Sequence, residues 1–99
     1  MIIVYAPRAL RDLCSISAYL AEHNASASRR VLAVIKSTID NLECFPELGR
    51  PMDSAGNRRL PARRCPYLVF YRNEGSEVLM LHIRDARREP VDPHVEFDH

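Results

Sequence analysis

Tyr67-Leu68-Val69-Phe70-Tyr71-Arg72, Asn73-Glu74-Gly75-Ser76 and Glu77-Val78-Leu79-Met80-Leu81-His82-Ile83-Arg84-Asp85 read in succession as strand, turn and strand. The first run is apolar up to its closing arginine, which suits a strand buried on both faces. The break that follows supplies a glycine and short polar side chains where the chain reverses. The last run alternates, with Leu79, Leu81 and Ile83 facing one way and Val78, Met80, His82 and Arg84 the other. The first set is expected in the core, and the rest of the fold has to be built around this hairpin.

Upstream, Arg58 to Ala62 reads as a short strand that Pro61 confines to a sheet edge or a strand end. Before it, Glu47-Leu48-Gly49-Arg50-Pro51 and Ser54-Ala55-Gly56-Asn57 are loop chemistry. Met1 to Tyr5 is a short apolar strand, and Pro7 suits a first helical position. Leu10, Leu13, Ser17 and Leu20, with Ile16 and Cys14 beside them, recur near the 3.6 period of an amphipathic helix. His23-Asn24 breaks that pattern, and Asn24 is a suitable N-cap for a second helix. Its stripe is Val31, Ile35, Thr38, Ile39 and Leu42, and Pro46 forbids continuation. The order is β-α-α-β-β-β, an α+β fold in which a helical hairpin covers one face of a small antiparallel sheet.

A chain of 99 residues has room for one core and buries about 60–70% of its unfolded surface. With 46% apolar and 27% charged residues, it falls outside the profile of a disordered segment. No apolar run approaches the roughly 20 residues of a membrane-spanning helix. Pro7-Arg8 interrupts the N-terminus before a secretory apolar run develops. A cytoplasmic protein is therefore expected, with no membrane partner. Cys14, Cys44 and Cys65 form an odd, widely spaced set, which argues for reduced core thiols over disulfides or a metal knuckle. His23, His82, His94 and His99 contain no i, i+4 pair, so neither a metal nor any other cofactor is expected.

The net charge of +1 hides an uneven distribution. Arg58, Arg59, Arg63, Arg64, Arg72, Arg84, Arg87 and Arg88 face only Glu74, Glu77 and Asp85 within the same stretch. Glu89, Asp92, Glu96 and Asp98 then follow without a lysine or arginine. A basic face beside an acidic tail is the expectation. The tail, 91–99, lacks periodicity, so it is either disordered or ordered by contact.

Five pieces now stand in a fixed order. They are Ala9-Leu10-Arg11-Asp12-Leu13 with Ile16 and Tyr19-Leu20, then Phe45-Pro46-Glu47-Leu48-Gly49-Arg50-Pro51, then Arg59-Leu60. Pro66-Tyr67-Leu68-Val69-Phe70-Tyr71 and Ile83-Arg84-Asp85-Ala86-Arg87-Arg88-Glu89-Pro90 complete the set. Together they resemble the RelE/ParE superfamily of toxins from type II toxin–antitoxin pairs. The resemblance covers nearly the whole chain and implies one toxin domain, 1–90, followed by the acidic tail.

Two branches of that superfamily differ in chemistry. RelE-like members cleave mRNA in the ribosome, which needs groups that activate the 2'-OH, stabilise the phosphate and protonate the leaving oxygen. Here Leu68 stands where RelE has an arginine. Arg87 matches a second one, but the tail offers Phe97 or histidines in place of a catalytic tyrosine. ParE-like members lack that kit and keep the Gly-Arg-Pro loop and paired arginines, so the chain resembles the ParE branch. Many relatives have histidine and glycine where Asp85 and Ala86 stand, and no role of that histidine carries over.

The resemblance implies inhibition of DNA gyrase by binding rather than by turnover, with no catalytic residue. It also implies neutralisation by a ParD-like antitoxin in a hetero-oligomer that meets operator DNA only through the antitoxin. Arg50, Arg58, Arg59, Arg84, Arg87 and Arg88 are the candidate target-binding residues, because guanidinium groups grip phosphates and carboxylates through paired donors. The plainer readings are a solvated basic surface, to which Arg63-Arg64 belong more readily, and a turn at Gly49-Arg50-Pro51. Tyr67, Phe70 and Tyr71 are stacking platforms in a nucleic-acid binder and core in a central strand. An antitoxin helix lying in a groove is expected to meet Leu13, Ile16, Leu20, Tyr67 and Met80. Two alternatives stand beside this reading: a ribosome-dependent mRNA endonuclease using Arg59, Arg87 and a tail histidine, and a non-toxic module that only binds an antitoxin.

Overall fold

A computed structural model describes residues 1–87. In chain order it contains β1 (Ile2–Tyr5), α1 (Pro7–His23), α2 (Ala25–Asp40), a 3-10 turn (Asn41–Glu43), β2 (Arg50–Pro51), β3 (Asn57–Pro61), β4 (Tyr67–Asn73) and β5 (Glu77–Asp85). Ala6 gives α1 no side-chain cap, so Pro7 at the first helical position sets the start. The Ala6 N–H donates to the Met80 carbonyl at 2.9 Å, which anchors the entry of α1 to the sheet. Asn24 alone joins the helices. Its N–H donates to the Leu20 carbonyl at 2.7 Å, and its side chain accepts from the Ala27 N–H at 3.3 Å. One residue thus ends α1 and caps α2.

The sheet order is β1-β5-β4-β3-β2. The meander β2 to β5 is antiparallel, but β1 runs parallel to β5. The expected antiparallel sheet is therefore a mixed one with an additional short edge strand. Residue alternation carries no information on strand direction. The parallel pair is feasible because the helical hairpin and the meander both lie between its members. Pro51 is tolerated in β2 because that strand is the sheet edge.

The helices cover the face that carries Tyr67, Val69 and Tyr71 of β4. On α1 the buried stripe is Ala9, Ile16 and Leu20, with Leu13 partly buried. Leu10 is 51% exposed, so the stripe runs one residue off the sequence expectation. Ala9, with no exposed surface, lets the helix approach the sheet closely. Ile35, Ile39 and Leu42 complete the core from the α2 side, each wholly buried and each contributing about 1.5–3 kcal/mol of burial.

A β-bulge decides which residues of β5 join that core. Tyr71 pairs with Met80 and Phe70 with His82, so Leu81 is the extra residue. Before it, Val78 and Met80 face the helices; after it, Ile83 does. The expectation that Leu79, Leu81 and Ile83 form one core face, with Val78 and Met80 opposite, is corrected here. A bulge inverts the parity of alternation at one point, and nothing in local apolarity marks that point.

Candidate functional site

Arg58 and Arg59 are adjacent in sequence and point to opposite faces of β3. Arg58 lies across from Tyr71 on the helix side. Its Nη1 donates to the Gly49 carbonyl at 2.8 Å and to the Glu47 carbonyl at 3.3 Å. The buried Tyr71 hydroxyl donates to the Pro46 carbonyl at 2.9 Å and accepts from the Gly49 N–H at 2.8 Å. Burial, the largest influence, pushes the Tyr71 pKa up, so the ring stays neutral and its O–H remains a donor. The loop 46–51 is thus clasped by two side chains from the neighbouring strands. Arg58, expected at the target surface, positions this loop.

The same clasp turns Arg50 outward. Arg50 is the register partner of Arg59, so both project from the sheet face opposite the helices. Arg50 is exposed and Arg59 partly so. Directly opposed like charges are destabilising in a sheet, and here they sit side by side. Alternation places Arg72 and Arg84 on the same face. The Arg72 Nε donates to Asn57 Oδ1 at 2.9 Å, and its Nη1 lies 3.6 Å from Glu74. Asn57 in turn donates to Asp53 at 2.8 Å, and this bond is the main cause that lowers the Asp53 pKa. Arg87 is not on that face. It sits in the turn after β5, where Asp85 accepts from its N–H at 2.8 Å and from its guanidinium at 3.2 and 3.3 Å. Asp85 therefore shapes the turn. Arg88 and the tail lie outside the described residues.

A second polar cluster has no signature in the sequence. β1 ends opposite Met80, and α1 supplies Asp12 to the edge of β5 beyond it. Asp12 Oδ2 accepts from the Ile83 N–H at 3.0 Å and lies 2.5 Å from His82 Nδ1. The His82 ring stacks on Phe70, with centroids 5.5 Å apart. Arg8, Arg84, Asp12 and His82 line a cleft of about 350 Å³ along this edge. The partners are separated by 70 residues, so only the tertiary structure brings them together.

Burial pushes the His82 pKa below the ordinary 6.5, with Arg8 and Arg84 adding to it, while the Asp12 hydrogen bond pulls the other way. The folded state thus favours the neutral ring, which donates from Nδ1 to Asp12. That stability is fully present above the unfolded pKa and is lost as pH falls through the lower folded one. Urea unfolding at about pH 7.5 and about pH 5 should show wild type losing more stability on acidification than His82→Gln. Equal losses would remove the histidine from the explanation.

The five residues expected to meet an antitoxin divide sharply. Met80 is wholly buried, and Tyr67, Leu20 and Ile16 retain only 5%, 8% and 9% exposure. Met80 is lost as a contact residue because the bulge turns it under the helices. Leu13 reaches a groove of about 630 Å³ between α1 and α2, lined also by Cys14, Ser17, Ala18, Ala21 and Leu32. Ile16 and Tyr67 border the β5-edge cleft. Cys14 and Cys44 are exposed and Cys65 intermediate, which corrects the expectation of core thiols. Among the described residues no three His, Cys, Asp or Glu side chains gather, and no helix is long and apolar enough to cross a membrane.

A two-helix hairpin on a five-stranded mixed sheet is the class to which the geometry leads. A solved chain titled "Chromosomal ParDE TA system from P. aeruginosa" shares it, with a TM-score of 0.75 at 23% identity over 86% of this chain and 95% of that one. The family model described as "ParE toxin of type II toxin-antitoxin system, parDE" matches residues 3–90. The chain belongs to the ParE toxin family of type II toxin–antitoxin systems. Toxin Y4kP of Sinorhizobium fredii is 38% identical over 65 residues, covering 66% of this chain and 68% of that protein. Toxin RelE2 of Caulobacter vibrioides is 33% identical over 86 residues, covering 87% of this chain and 96% of that protein.

Proposed function

We propose that this toxin inhibits growth by binding DNA gyrase through the sheet face opposite its helices, and that a ParD-like antitoxin neutralises it in the cytoplasm. The observation that carries the reading is the Arg50–Arg59 pair. Two arginines are register partners across β2 and β3, an arrangement of like charges that is destabilising in a sheet, beside a loop whose shape Tyr71 and Arg58 maintain. Such an arrangement supplies paired donors for phosphate or carboxylate groups of a macromolecular partner. The antitoxin reading rests on the groove between α1 and α2. Its small side chains leave room for an amphipathic helix, which Leu13 would meet.

The test separates function from folding. Arg50→Gln together with Arg59→Gln should leave thermal stability unchanged or slightly higher, because a like-charge pair is removed. The same variant should weaken inhibition of gyrase supercoiling by purified protein at least about tenfold, as expected for losing hydrogen bonds to charged groups. Unaltered gyrase activity at high excess of wild type would end the gyrase reading. Toxin-dependent cuts in translated mRNA would replace it with the endonuclease one.

A further inference from the structure

Between β3 and β4 the chain makes a tight turn whose ends are both tied down. The Cys65 N–H donates to the Ala62 carbonyl at 3.1 Å, the Ala62 N–H to the Tyr67 carbonyl at 2.8 Å, and the Ala86 N–H to the Pro66 carbonyl at 2.7 Å. Both central positions of the turn are arginines, Arg63 and Arg64. Arg64 has φ 61°, a left-handed conformation that favours glycine and costs a residue with a side chain some stability. The turn and α2 together wall a cleft of about 860 Å³, which Arg30 of α2 lines as well. All three arginines are exposed. Among the described residues they carry no salt bridge, whereas Arg72 and Arg87 are both paired with acids. No acidic residue lines the cleft, and Asp40, on the same helix, is taken by Lys36 at 2.9 Å.

Like charges gathered against apolar walls, here Ala33 and Val34, focus a positive field into the concavity. Ser37 and Asn41 add neutral polar groups, and these residue types, together with arginine, are the ones that contact phosphate oxygens. No aromatic ring is present to stack an unpaired base, and no large apolar side chain is present to anchor an acidic protein. From Arg30 to Asn41 the lining runs about 16 Å at 1.5 Å per helical residue. A DNA strand presents a phosphate about every 3.4 Å along the duplex axis, so three guanidinium groups find separate phosphates within that length. Recognition of an RNA duplex draws on 2'-OH contacts over about 16 base pairs, more than this cleft spans. We infer that the Arg30–Arg63–Arg64 cleft binds the phosphate backbone of duplex DNA without reading its sequence. It shares no lining residue with the Arg50–Arg59 pair, so it gives the toxin a hold on DNA separate from the face proposed for its protein target.

The experiment measures binding of the full chain to a fluorescent DNA duplex of about 20 base pairs by anisotropy over a salt series. Affinity should fall as salt rises, with a log–log slope of about −0.9 for each phosphate neutralised, and should be the same for a duplex of shuffled sequence. Arg30→Gln, Arg63→Gln and Arg64→Gln together should weaken binding at least about tenfold at low salt and flatten the slope by about 2–3, with the melting temperature no lower than that of wild type. Arg64→Gly alone should flatten the slope by about one and raise the melting temperature, because glycine accepts the left-handed turn. Arg50→Gln with Arg59→Gln should change duplex binding far less than the triple variant does. No gyrase is present in this assay, so its outcome is independent of whether the toxin inhibits that enzyme. Affinity and slope retained by the triple variant, or lost equally in the Arg50–Arg59 variant, would overturn the proposal. Tighter binding of polyglutamate, or of an RNA duplex of the same length, would also overturn it and assign the cleft to an acidic protein or to RNA.

Discussion

Met80→Ala should lower the unfolding free energy by about 2–5 kcal/mol, the range for truncating a large buried side chain into a cavity. Met80 has no exposed surface and packs with Tyr71, Ile83 and the helices. Leu79, one residue earlier, is only partly buried on the opposite face. Leu79→Ala should therefore cost about half as much or less. For a domain of this size each kcal/mol moves the melting temperature by about 4–8 °C, so calorimetry resolves the two variants easily. A Leu79→Ala variant less stable than Met80→Ala would contradict the bulge at Leu81 and restore simple alternation along β5.

The second large effect is expected where the loop 46–51 meets β4. A Cβ added at Gly49 would stand 2.7 Å from the Tyr71 hydroxyl and 2.8 Å from the Arg59 carbonyl. Real Cβ atoms do not approach that closely, and the carbonyl belongs to a paired strand that cannot move cheaply. Gly49→Ala should cost about 1–3 kcal/mol through overpacking. Tyr71→Phe removes both loop hydrogen bonds and leaves the buried Gly49 N–H without its acceptor, which costs about 1–3 kcal/mol. The double variant should be less destabilised than the sum, because loss of the hydroxyl relieves one of the close contacts. The relief stays partial, since the Arg59 carbonyl remains. Strict additivity in urea unfolding would show that Gly49 and Tyr71 do not act on the same loop. Both single variants should also weaken target binding, because Arg50 is oriented by that loop.

The order of elements, apart from the two-residue edge strand β2, was readable from residue chemistry alone. Pro7 opens α1, Asn24 separates the helices, and Asn73-Glu74-Gly75-Ser76 reverses the chain between β4 and β5. Each signal acts through its own backbone or near neighbours, which is why it survives in a one-dimensional pattern. The family was legible for the same reason, since its pieces are short and fall at these punctuated positions.

The site was legible only in part. The sequence identifies arginines but cannot say that Arg58 is committed to the carbonyls of Gly49 and Glu47 while Arg59 stands beside Arg50. It contains Asp12 and His82 with nothing to connect them, and it contains Met80 on the wrong side of a strand until the bulge is known. Local conformation follows from torsional preferences and capping groups within a few residues, so the chain by itself determined the helices, the turns and the charge content. Strand direction, register and the parity shift at Leu81 depend on free energies shared between segments far apart in sequence, and only the packed sheet decided them.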